Sequence, residues 1–112
     1  MRQGERSFVG ADTIEYLLQH HFDRYVMTAS GLSINGGLTE WNPDDASVKR
    51  AAARASEGVI AAIDASKYGN VGFVRICETS YPDLIVTDDS IAGPDLQDLR
   101  AHAKQVDVAG GF

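Results

Sequence analysis

Val59-Ile60-Ala61-Ala62-Ile63, running into Asp64-Ala65-Ser66-Lys67-Tyr68-Gly69, is the stretch from which the fold is read. Five consecutive apolar residues are too few for an ordinary helix and lack the alternation of a half-exposed strand. The run therefore reads as a strand covered on both faces, the pattern of a parallel sheet. Its polar continuation falls at the strand's carboxyl end, where the chain turns toward the next element. Leu84-Ile85-Val86-Thr87-Asp88 repeats the arrangement. Tyr25-Val26-Met27-Thr28, β-branched and aromatic, closes on Ala29-Ser30-Gly31 as a third strand feeding a loop.

Helices fall between these strands. Asn42-Pro43-Asp44-Asp45 supplies a cap, a first-turn proline and first-turn acids, and Val48, Ala52 and Ala55 form the apolar side of a helix that Gly58 ends. Pro94 and Asp95 open a last helix with Leu96, Leu99 and Ala103 on one side, ahead of a short strand at Val106 and Val108. Near the start, Phe8-Val9-Gly10 ends a strand, and Asp12 or Thr13 caps a helix carrying Ile14, Leu17 and Leu18 on one face. Residues 30–42 read as a long loop, and 71–77 as a less regular stretch in which Val74, Ile76 and Cys77 are buried strand positions. The fold class that follows is α/β: an open, mostly parallel, Rossmann-like sheet flanked by helices and joined by right-handed crossovers.

At 112 residues the chain fits a single domain, 1–112. Ten Lys and Arg against sixteen Asp and Glu leave a formal net charge of −6, the wrong sign for neutralising nucleic-acid phosphates. Lys49, Arg50 and Arg54 are grouped basic residues and read as a solvated helix face, with a phosphate site the weaker alternative. A single cysteine, Cys77, allows no intrachain disulfide and no cysteine-rich zinc site, and its apolar neighbours make it an inert core thiol. His20 and His21 are adjacent, and neighbours on a helix point about 100° apart, so the pair is not a metal site by itself. No apolar run approaches the roughly 18 to 20 residues of a membrane span, and residues 1–10 do not form a signal peptide, so the expected location is the cytoplasm. No metal and no cofactor is expected.

Ligands of open parallel sheets bind outside the carboxyl ends of the strands, where loops and helix N-termini converge. That rule selects Thr28-Ala29-Ser30-Gly31, Asp64-Ala65-Ser66-Lys67 and Thr87-Asp88-Asp89, with Gly36-Gly37 offering backbone N–H groups close to an anion. Lys67, directly after an apolar strand, places a point charge at this crevice. An enzyme would need a base near it, and the candidates are Asp64, Asp88 and Asp89, of which Asp64 can equally cap the following turn.

Several segments in order resemble the C-terminal sensor of the DeoR family of bacterial transcription regulators. They are Phe8-Val9-Gly10, His21-Phe22-Asp23-Arg24, Gly37-Leu38-Thr39, Val48-Lys49-Arg50-Ala51, Asp64-Ala65-Ser66-Lys67-Tyr68-Gly69 and Leu84-Ile85-Val86-Thr87-Asp88. The resemblance implies the fold of ribose-5-phosphate isomerase and a phosphorylated sugar as effector. It also implies that only the later half of the sensor is present, and that DNA is read through a separate helix-turn-helix domain absent from this chain. Where relatives carry glycine–alanine–aspartate–glycine, this sequence has Thr28-Ala29-Ser30-Gly31. The isomerase's carboxylates are matched by Met27, Ser30 and Lys49, and of its ionisable set only Lys67 is retained. The expectation is a non-catalytic, self-associating sugar-phosphate sensor that binds through Lys67, with Ser30, Gly31, Asn35, Gly37 and Tyr68 around it. The alternatives are a small isomerase-like enzyme using Asp64 or Asp88 as base, or a purely structural oligomerisation fragment.

Overall fold

The computed structural model describes residues 22–110. The strand end at Phe8-Val9-Gly10, the helix begun at Asp12 or Thr13, and the His20-His21 pair lie outside the described residues.

The apolar runs form one parallel sheet. Strand β1 (Phe22–Met27), β4 (Ser56–Ala62), β6 (Leu84–Asp88) and β7 (Val106–Ala109) lie side by side in the order β1-β4-β6-β7, every neighbour pair parallel. The register pairs Val26 with Ile60, Ile60 with Leu84, and Ile85 with Val106. The α/β class expected from the sequence is the class observed. Helix α1 (Pro43–Arg54) precedes β4, and helix α2 (Gly93–His102) joins β6 to β7.

Helix α1 begins where its sequence dictates. The Asn42 side chain accepts from the Asp44 and Asp45 amides at 2.8 and 3.2 Å, and Pro43 occupies the first turn, where a missing N–H costs nothing. Its end differs from the expectation. The helix stops at Ala55, and Ser56 Oγ donates to the Ala52 carbonyl at 2.7 Å. Gly58 lies inside β4, close to Arg24 and Asp83 of neighbouring segments.

The larger difference falls in the expected loop, residues 30–42. It contains β2 (Gly31–Ser33) and β3 (Gly37–Glu40), an antiparallel hairpin joined by β5 (Val74–Cys77) into a second sheet of order β2-β3-β5. Strands of three and four residues are too short to carry a readable period, and they pair only because residues far along the chain complete the sheet. Gly37 adopts φ of +77°, and a Cβ there would lie 2.3 Å from the Cys77 carbonyl oxygen, so the hairpin requires glycine at that point.

Helix α1 touches strands of both sheets, β1 and β4 on one side and β3 and β5 on the other. Met27, Leu32, Leu38, Ile85 and Leu99 are fully buried in the common core, beside Ala46 and Ala53 of α1. The small alanine side chains let the helix approach both sheets closely.

Candidate functional site

All three segments expected at strand carboxyl ends are found there, after β1, β4 and β6. After β4 the chain makes a single 3₁₀ turn, Ala65–Lys67. Asp64 precedes that turn but its side chain makes no capping bond. The acceptor comes from β6 instead: Asp88 Oδ2 accepts from the Ala65 amide at 2.9 Å, tying the end of one strand to the turn after its neighbour. Asp88 Oδ1 accepts from the Ser90 amide at 3.0 Å and from the Ser90 hydroxyl. The Ser90 hydroxyl foremost, then the Ala65 and Ser90 amides, hold the Asp88 carboxyl below the usual range. Asp64, Thr87 and Asp88 line a shallow cleft of about 220 Å³ with Ala109.

Lys67 ends the turn, half-buried, and its amine has no hydrogen bond or ion pair among the described residues. Tyr68 bridges to Leu32 of β2, and the Gly69 amide donates to the Leu32 carbonyl at 2.8 Å, so this loop lies along the hairpin. Burial, and then the nearby carboxylates of Asp95 and Asp98, raise the Tyr68 hydroxyl above its ordinary range. Gly31 sits against the same loop, and a Cβ on it would fall 2.3 Å from the Asn70 carbonyl oxygen.

Beside Gly31 is a polar cluster built on one carboxylate. Ser30 Oγ donates to Glu40 Oε1 at 2.7 Å, and Lys49 Nζ donates to Glu40 Oε2 at 2.5 Å. The Lys49 amine also reaches the Thr28 carbonyl at 2.7 Å and its hydroxyl at 3.3 Å. Burial alone would raise the Glu40 carboxyl, but the bonds from Lys49 and Ser30 and the charge of Lys49 outweigh it and leave the group below its ordinary range. Tyr25 is raised by burial and then by the charge of Glu40. The reading of Lys49 as part of a solvated face is therefore corrected: its side chain is 21% exposed and locked in an ion pair. Ser30 thus has a carboxylate beside it, supplied by Glu40 from β3.

Over residues 1–89 the chain matches the family described as DeoR C terminal sensor domain. It belongs to that family. Among curated relatives, it is 26% identical over 110 residues to a putative aga operon transcriptional repressor of Escherichia coli O157:H7, covering 98% of this chain and 41% of that protein. It is 35% identical over 95 residues to the L-fucose operon activator of Haemophilus influenzae, covering 84% and 36%. With the transcriptional repressor GlcR of Bacillus subtilis it shares 32% over 88 residues, covering 79% and 34%. The chain thus spans about two fifths or less of the length of these relatives.

Within this DeoR sensor domain the six residues singled out from the sequence do not form one group. Ser30, Gly31 and Tyr68 lie at or beside the loop that carries Lys67. Asn35 and Gly37 are at the tip of the hairpin, separated from Ser30 by the length of β2, about 10 Å at the rise of a strand. They line a different cavity, of about 320 Å³, with Arg75, Thr79 and His102. There the Arg75 guanidinium donates to the Asn35 and Gly36 carbonyls at 3.3 and 3.1 Å, and Thr79 Oγ1 to the Ser33 carbonyl at 2.9 Å. Glu40 carried one readable signal, an acid two residues ahead of a helix cap, but its partners come from the loop after β1 and from α1, and only folding assembles them. Cys77 is half-buried beside the same hairpin, and burial pushes its thiol up to about 11 despite Arg50 and Arg75 nearby. No described helix is long and apolar enough to cross a membrane.

Proposed function

We propose that this chain is the effector-sensing part of a DeoR-family regulator and that it binds a phosphorylated sugar at the carboxyl end of the parallel sheet. In this reading Lys67 holds the anionic group, Tyr68 flanks it, and Ser30 and Gly31 form the facing wall, while Asn35 and Gly37 belong to the rim of the neighbouring cavity. The observation that carries it is the Lys67 amine, free of partners among the described residues, on a turn that Asp88 fastens at the strand ends. A cation without a carboxylate is available to a ligand anion, and the fastened turn lowers the ordering cost of binding.

The chain is read as a binding module rather than an enzyme. A general base must be free to take a proton at working pH. Glu40 has both oxygens engaged and Asp88 accepts three hydrogen bonds, and both are held in the charged, weakly basic form. Sensing would bias the oligomer of an intact regulator by favouring one of its states, and DNA would be read by a separate domain. The relatives, a putative operon repressor, an operon activator and a transcriptional repressor, support that setting.

Calorimetry against a panel of sugar phosphates, on the wild type and Lys67→Ala, tests the reading. Heats from at least one compound in the wild type, lost in the variant, are expected. Equal heats for both proteins remove Lys67 from the role, and turnover of any of these compounds, abolished by Asp64→Asn, would favour the enzyme instead.

A further inference from the structure

The largest of the described cavities, about 440 Å³, lies at the opposite end of the sheet from Lys67. Arg50 and Arg54 at the end of α1, Lys104 just before β7, and Tyr81 just before β6 mark it as the amino end of the strands. Its acid, Glu78, faces Arg75 at 3.9 Å, and Lys104 is loosely paired with Asp83 at 3.7 Å, both groups largely exposed. Three cations thus converge on one hollow in a chain whose formal net charge is −6.

The three are held differently. The Arg50 guanidinium donates to the Ile76 carbonyl at 3.2 Å and to the Arg75 carbonyl, contacts that fix its plane on the cavity wall and leave its charge uncompensated. Arg54, exposed, has no hydrogen bond or ion pair among the described residues. A fixed guanidinium beside a free one suits the tetrahedral oxygens of a phosphoryl group, which arginine meets with two parallel N–H bonds. Ile76 and Tyr81 add an apolar wall, and the volume falls in the range of small-molecule pockets, about 300 to 1,000 Å³. With three cations against the single carboxylate of Glu78, the hollow carries an excess of positive charge that concentrates anions from solution.

We propose that this cavity is a second ligand site, distinct from the sheet's carboxyl end, for a small phosphomonoester whose phosphoryl group is held by Arg50, Arg54 and Lys104. The test is a backbone-amide NMR titration of the whole chain with inorganic phosphate and with methyl phosphate, at matched ionic strength. Wild type, Arg54→Ala, Lys104→Ala and Lys67→Ala are compared; Arg54 and Lys104 are exposed, so their loss leaves the fold in place. Saturable shifts of residues 76–81 with both probes are expected. Each of the Arg54 and Lys104 substitutions should weaken them about tenfold, and Lys67→Ala should leave them unchanged. Shifts confined to residues 64–69 and lost in Lys67→Ala would overturn the second site while supporting the first. An absence of saturable shifts at 76–81, or binding of inorganic phosphate without methyl phosphate, would overturn it equally.

Discussion

At Glu40, burial and charge pull in opposite directions, and the neighbours decide. The residue is 7% exposed, yet Lys49 and Ser30 hold its carboxyl ionised. A carboxyl lowered in the folded state contributes stability above its unfolded value, near 4.5, and loses it as pH falls through the folded value. Urea midpoints followed from neutral pH into acid should therefore fall more steeply in the wild type than in Glu40→Gln. At neutral pH the same variant should lose about 2 to 3 kcal/mol, because Lys49 is left without its counter-charge. A wild-type midpoint flat through this acid range would count against the ion pair. Gly37→Ala should cost about 2 kcal/mol or more in the same assay, since the new Cβ meets the Cys77 carbonyl at a positive φ. Cys77 itself should resist iodoacetamide in the native protein at neutral pH, its thiol standing at about 11, and react once urea exposes it.

At the scale of elements, the turn after β4 illustrates how a local motif depends on a distant strand. Residues 64–69 carry the polar groups, but the acceptor that fastens the turn is Asp88, a strand away. Asp88→Ala should weaken sugar-phosphate binding several-fold by calorimetry while leaving Lys67 in place. Unchanged heats would mean that the turn holds its shape unaided. Helix α1 behaves in the contrary way, because its cap is written locally. Asn42→Ala removes the acceptor for two amides and should cost about 1 kcal/mol by urea unfolding, with no effect on ligand heats. The hairpin lies between these cases: Gly37 marks its turn, but β5 is needed to complete its sheet.

Across the whole molecule, the order β1-β4-β6-β7 adds strands in one direction, so no reversal of strand order falls between described neighbours. Crevices in open sheets form at such reversals. The edge of β1, next to Thr28 and the Glu40 cluster, is where a further strand would create one. That edge is open among the described residues, and Val26 on it is 61% exposed, while Trp41 and Phe73 are exposed near the second sheet. Exposed edges and apolar side chains favour association. Sedimentation velocity over a range of concentrations should show a species larger than the monomer, and a strictly monomeric profile at every concentration would count against it.

Sequence alone was enough for the parallel sheet and its helices. Runs such as 59–63 and 84–88 are apolar enough that only burial on both faces satisfies them, and Asn42-Pro43 places a helix start by local bonding. It also located Lys67 at a strand end, since that follows from the run before it. Tertiary structure alone decided the second sheet, the Glu40–Lys49 pair and the convergence of Arg50, Arg54 and Lys104. In each of these, groups from different elements meet: β5 against the hairpin, Lys49 of α1 against Glu40 of β3, and Lys104 against the end of α1. No local period or propensity encodes which of them will be neighbours once the core has closed.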